Sequence, residues 1–116
     1  MTFDPSGGLS ESEVSERVSN AIENNDVVLF MKGTPLMPQC GYSRRALGLL
    51  QQYCDDIETV DVLESLDAYR AALETHSSWE TIPQVFVDGE FIGGSDVVAE
   101  LDERGELEPT LEKATN

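Results

Sequence analysis

A chain of 116 residues is long enough for one hydrophobic core and too short for two. Its formal net charge of -16 at pH 7 comes from 23 acidic against 7 basic residues, so no basic cluster exists to follow a nucleic-acid backbone or an anionic bilayer, and neither partner is expected. Two cysteines separated by most of a helix do not indicate a disulfide framework.

The acidic, lysine-poor composition suits a protein kept soluble in concentrated salt, where counterions screen self-repulsion. Met1 to Glu13 has neither a basic n-region nor an apolar h-region, and no segment reaches bilayer-spanning length, so the expected location is cytoplasmic.

Residues 1–8, with Pro5, Gly7 and Gly8, read as a loose tail. Ser10 followed by Glu13 is a capping box, Leu9 can staple onto Val14, and Val14, Val18, Ala21 and Ile22 share one face of the helix that follows. The apolar run Val27 to Met31 reads as a strand buried on both faces. Pro35, Pro38 and Gly33 then force a loop that Cys40 closes, and from about Tyr42 a helix carries Leu47, Leu50 and Cys54 at spacings of three and four.

Ile57 to Val62 alternates as a strand with Val60 and Val62 on its apolar face, and Leu66, Tyr69 and Leu73 mark another helix. A helix between two strands is the parallel crossover pattern, and it is read on both sides of this strand. Gln84 to Val87 and Glu90 to Ile92 are joined by Asp88-Gly89, a strong hairpin signal. Gly93-Gly94-Ser95-Asp96 opens a helix with Val97, Val98 and Leu101; Gly105 breaks it, and Leu107 with Leu111 fits a short final helix.

The expected fold class is α/β: the order αβαβαββα with an optional extra C-terminal helix, a mixed four-stranded sheet with a central parallel pair and a terminal hairpin, and helices on both faces. The domain is expected over 9–113, with 114–116 as a tail.

The candidate for chemistry is Cys40. A thiol at a helix N-terminus meets unpaired N–H groups and the positive end of the dipole, and Lys32, Arg44 and Arg45 lie close in sequence, so its acidity should rise and the thiolate become available as nucleophile or metal ligand. Cys54, placed about 20 Å away along the same helix, cannot be its resolving partner and reads as core. Tyr53 and Tyr69 read as helix-face packing, His76 as a solvated residue, and Trp79 as packing the loop before Pro83.

Phe-Met-Lys-Gly-Thr-Pro followed by Pro-x-Cys-Gly-Tyr-Ser resembles the monothiol glutaredoxins, whose motif is usually Cys-Gly-Phe-Ser after a Lys-Gly-Thr/Ser-Pro loop; Tyr42 is the departure, and by the resemblance it counts with Pro83 among the residues that bind the small thiol. The resemblance covers residues 9 to about 113 and implies the thioredoxin-like fold. It also implies a cis peptide bond before Pro83, which faces the active cysteine and leaves the main chain of Ile82 able to pair with an extended thiol peptide. By the same resemblance Gly94, Ser95 and Asp96 hold the γ-glutamyl end of glutathione, and Lys32 and Arg70 its glycyl carboxylate. Ser95 stands where the family often has cysteine, and Glu80 where it usually has proline after Trp79.

Ser43 stands where a dithiol enzyme needs its resolving cysteine, so disulfide exchange would depend on an external thiol. A [2Fe-2S] cluster usually takes four thiolates. One suitable cysteine per chain fills them only if a homodimer supplies two and glutathione or another low-molecular-weight thiol supplies the rest. The long loop 33–39 is similar to that of the cluster-carrying class. The resemblance to monothiol glutaredoxins implies that arrangement, with cluster binding and transfer to iron-sulfur acceptor or assembly proteins as the expected function; the alternative is glutathione-dependent thiol-disulfide exchange at Cys40.

Overall fold

The computed structural model describes residues 9–115 and arranges them as α1 (Glu11–Asn24), β1 (Val27–Met31), α2 (Gly41–Gln51), β2 (Glu58–Asp61), a 3-10 turn (Leu63–Ser65), α3 (Leu66–Ser77), β3 (Gln84–Val87), β4 (Glu90–Gly93), α4 (Ser95–Glu103) and α5 (Leu107–Thr115). The tail expected at 1–8 lies outside the described residues, and α5 runs past the boundary expected at 113.

The strand β1 has no polar side chain, so both its faces must be covered. Each of its five residues is buried. Val28 and Phe30 face α1 and α3 together with Val18, Val60, Leu73 and Phe86. Val27, Leu29 and Met31 face α2, α4 and α5 together with Leu47, Leu50, Val98 and Leu111. Phe30 and Phe86 meet edge to face with ring centroids 5.7 Å apart, a geometry that the ring quadrupoles favour. Leu107 and Leu111 are each 1% exposed, so the final helix belongs to the core; burying each is worth about 2 kcal/mol. The capping box at the start of α1 is closed from both sides, Glu13 N–H donating to Ser10 Oγ at 3.2 Å and Ser10 N–H to Glu13 Oε1 at 3.4 Å.

The sheet order is β2-β1-β3-β4. β2 runs parallel to β1, from Val28 opposite Glu58 to Met31 opposite Asp61, as the first crossover requires. The second expected crossover is corrected: β3 does not join β2 but lies antiparallel to β1, from Val27 opposite Val87 to Phe30 opposite Gln84. The parallel pair thus lies at one side of the sheet, and the central pair is antiparallel. Exposed Glu58 and Asp61 suit β2 to an edge, whereas apolar β1 needs a neighbour on each side. Asp88 and Gly89 both have positive φ, 51° and 81°, as a two-residue hairpin turn of the primed type demands.

The end of α2 also corrects the sequence reading. The helix stops at Gln51, and Tyr53 N–H and Cys54 N–H both donate to the Leu50 carbonyl, at 3.1 and 3.0 Å. Cys54 therefore lies beyond the helix, although it is buried as expected, with its thiol donating to the Asp56 carbonyl at 3.6 Å. Tyr53 packs no helix face: it is 39% exposed and its hydroxyl donates to Asp102 of α4 at 2.6 Å. Tyr69 is buried in α3. Among the described residues no helix is long and apolar enough to cross a membrane.

Candidate functional site

The segment between β1 and α2 folds on itself as a small hairpin. Thr34 N–H donates to the Met37 carbonyl at 3.2 Å and Met37 N–H to the Thr34 carbonyl at 3.1 Å, while Gln39 N–H reaches the Lys32 carbonyl at 2.9 Å. Gly33 makes this possible: its φ is 94°, and a Cβ there would stand 2.5 Å from the Met37 carbonyl oxygen. Its N–H donates to Asp61 Oδ1 at 2.9 Å, and the same oxygen takes Leu63 N–H at 3.0 Å, so one carboxylate ties the hairpin to the end of β2. Leu36 and Met37 project from the tip, 95% and 66% exposed, and the chain returns to place Cys40 at the N-cap of α2.

Cys40 is half-buried, and four groups act on its sulfur against the effect of that burial. Burial pushes the thiol up; the Ser43 N–H, the Ser43 hydroxyl, the Tyr42 N–H and the Lys32 ammonium outweigh it and hold Cys40 below the ordinary thiol range. The first turn of α2 contains no acidic residue that would oppose them. Ser43 is fully buried, and its oxygen accepts the Lys32 N–H at 3.1 Å, which leaves the hydroxyl proton for the sulfur. The serine read from sequence as a missing thiol is thus a positioning and acidifying group.

A second helix N-terminus opens beside it. Gly94 is the N-cap of α4 and offers no side-chain cap, so the first-turn N–H groups of α4 lack the partner a capping residue supplies. A Cβ on Gly94 would stand 3.1 Å from the Pro83 carbonyl oxygen, so glycine lets the two main chains approach. The Ile82-Pro83 bond is cis. Ile82 and Pro83 are buried and lie just beyond the end of the β1–β3 ladder, where no strand partner follows.

Tyr42, Trp79, Ile82, Pro83, Gly94, Ser95 and Asp96 line a groove of about 520 Å³ that starts two residues past the thiol. Trp79 corrects the sequence reading, being 59% exposed on the groove wall instead of packed under the loop. What holds that loop is its main chain: Gln84 Nε2 and Ser77 Oγ donate to the Trp79 carbonyl at 2.8 and 3.2 Å.

Of the sequence-derived site residues, Cys40, Lys32 and Tyr42 converge on the thiol, and Tyr42, Ile82, Pro83, Gly94, Ser95 and Asp96 on the groove. Arg70 joins neither set: its guanidinium stands 3.9 Å from Asp67 on its own helix. His76 is exposed, 3.5 Å from the Ser19 hydroxyl. A larger hollow of about 790 Å³ lies between α1 and β2, but Glu13, Glu16, Arg17, Glu58 and Asp61 dominate it and no thiol reaches it. Sequence reasoning missed the roles of Ser43, Asp61 and Gln84; only Ser43 carried a signal, three residues past an N-cap, where N3 groups meet the cap side chain.

A βαβ unit and hairpin with helices on both faces, an acidified cysteine capping the helix after β1 and a cis proline entering β3 define a thiol protein of the thioredoxin-like class. The sequence profile of the glutaredoxin family matches residues 27–92, and the chain belongs to that family. It is 45% identical over 102 residues, 88% of its length and 94% of the relative's, to an uncharacterized monothiol glutaredoxin ycf64-like protein of Synechocystis. Its fold is similar to reduced apo GrxS14 of poplar at a TM-score of 0.77 and 37% identity, covering 92% of this chain and 98% of that one. It is also similar to a buckwheat glutaredoxin-glutathione complex at a TM-score of 0.77 and 29% identity, covering 90% and 93%.

Proposed function

We propose that this monothiol glutaredoxin binds a [2Fe-2S] cluster as cargo between two copies of the chain, each giving Cys40, with glutathione or another small thiol completing the ligand set, and passes it to acceptor proteins. The observation that carries the reading is the pairing of one acidified, accessible thiol with a groove that ends on an uncapped helix N-terminus. A thiolate is the ligand iron-sulfur clusters take, and the groups that hold Cys40 below the ordinary thiol range shift it toward that form. Among the described residues no three His, Cys, Asp or Glu side chains gather to hold a metal, and Cys54 is buried, so one chain alone offers a single sulfur. The donor set fits a shared cluster and no larger claim.

In the groove, the N–H groups at Ser95 and Asp96 would take the carboxylate of the small thiol, and the Asp96 carboxylate its ammonium. The main chain of Ile82 would pair with its peptide groups, Tyr42 would flank it, and Lys32 would face its second carboxylate. The resemblance also gives Arg70 to that carboxylate, which requires its guanidinium to leave Asp67. The similarity to a glutaredoxin solved with glutathione supports that thiol as the co-ligand.

The same thiolate supports a second reading, disulfide exchange. Cys40 would attack the glutathione sulfur of a mixed disulfide and release the protein thiolate, and a second glutathione thiolate would then regenerate Cys40 and leave as glutathione disulfide. Anaerobic reconstitution with iron, sulfide and glutathione separates the two. A brown dimer that needs the small thiol and is lost in Cys40→Ala is expected; a colourless monomer that rapidly reduces glutathione mixed disulfides would overturn the cluster reading.

A further inference from the structure

Acidic residues are spread along this chain except in one place: between Asp26 and Asp55 there is none, while Lys32, Arg44 and Arg45 all fall inside that interval. The interval builds β1, the projecting hairpin and the whole of α2. The other helices α1, α3, α4 and α5 each carry an acid in the first turn, the placement that the helix dipole rewards; α2 has none and follows its first turn with two arginines.

Protection of the Cys40 thiolate explains the missing acids nearest to it and explains Lys32, whose ammonium lowers that thiol. It does not explain Arg44 and Arg45, which are not among the groups that set the acidity of Cys40. Both are exposed, and among the described residues the ion pairs within 4.0 Å are Arg70–Asp67 and Arg104–Glu100, so neither arginine meets an internal carboxylate in a molecule rich in them. On the same exposed helix face Gly48 has nothing within 4 Å of where a Cβ would stand, and on the other side of Cys40 in the chain Leu36 and Met37 are 95% and 66% exposed. Among the described residues, two cations without a carboxylate partner, an open glycine and two exposed apolar side chains thus lie on either side of Cys40 in the chain, on the one stretch free of acidic residues.

We infer that the outer face of α2, from Arg44 to Gly48, with the Leu36-Met37 tip is a docking surface for a partner protein that presents an acidic segment interspersed with apolar side chains. Charge complementarity selects that occupant. A second copy docked through the same face would bring both pairs of arginines into one contact with no acid between Asp26 and Asp55 to offset them. The surface is separate from the groove, and its test does not depend on whether Cys40 carries a cluster or exchanges disulfides.

Two short synthetic peptides serve as probes, one alternating Glu and Leu and one alternating Lys and Leu, titrated into the apo protein at low ionic strength while backbone amide shifts are followed by NMR. The Glu-Leu peptide is expected to bind, to shift amides in the hairpin tip and α2, and to lose about tenfold in affinity on Arg44→Gln with Arg45→Gln. Glutamine is a good helix former and adds no acid near the thiol, so an unchanged Cys40 titration would confirm that the site chemistry is intact. Leu36→Ser with Met37→Ser should also weaken the complex. Equal binding of the Lys-Leu peptide, affinity indifferent to the double charge neutralisation, shifts confined to the α4 groove, or a Cys40 thiol that rises sharply in the arginine variant would overturn the inference. So would concentration-dependent dimerisation of the apo protein through this face.

Discussion

The two cysteines of this chain differ in almost everything except their sulfur. Cys54 is 8% exposed in the cluster beneath α2 and spends its proton on the Asp56 carbonyl. Cys40 is half-buried at the other end of the same helix, where two N–H groups, a hydroxyl and an ammonium favour its anion. Burial alone would make both inert. The difference shows that the acidity of Cys40 is made, against its partial burial, by the first turn of α2 and the Ser43–Lys32 link behind it.

The comparison breaks most completely if the reactive sulfur is removed. Cys40→Ser should abolish rapid alkylation at neutral pH, whereas Cys54→Ser should leave it intact, as peptide mapping after brief treatment with iodoacetamide will show. Next in size is Gly33→Ala, which forces a left-handed residue against the Met37 carbonyl and should cost about 2 kcal/mol in denaturant unfolding while slowing alkylation of the displaced Cys40. Ser43→Ala removes the hydroxyl from the sulfur and the acceptor from the Lys32 N–H. It should raise the Cys40 thiol toward the ordinary range and cost about 1 to 2 kcal/mol, since a buried N–H loses its partner.

Lys32→Gln should raise the same thiol less, by a difference that fades as salt is added, because its contribution is Coulombic. The acidity of Cys40 also couples to stability. Its folded-state value lies below the unfolded one, so ionised Cys40 adds stability above the unfolded thiol value, and that gain is lost as pH falls through the folded value. Unfolding curves of Cys40→Ala compared with the unaltered chain should be flatter in that window.

Much of this was legible in the residues. The apolar run of β1, the Ser10–Glu13 box and the Asp88-Gly89 turn are local signals, and each has the physical form its sequence implies. The place of β3 was not, because a helix between two strands specifies neither which edge the second strand takes nor its direction; that follows from β1 needing cover on both sides. The end of α2 was hidden because no glycine or proline follows Gln51, and Cys54 continued the apolar spacing after the helix had stopped. In the site, Cys40 and the Gly94 turn could be found as helix starts. Asp61 and Gln84 could not, since each acts by holding main chain that is distant in sequence or irregular in form.

The measurement that bears most directly on the account is the pH titration of the Cys40 thiolate by its ultraviolet absorbance, made in Cys54→Ala so that one sulfur reports, and repeated with Ser43→Ala added. A midpoint below the ordinary thiol range that climbs when the serine hydroxyl is removed is the predicted result. A midpoint in or above the ordinary range, indifferent to Ser43, would contradict it.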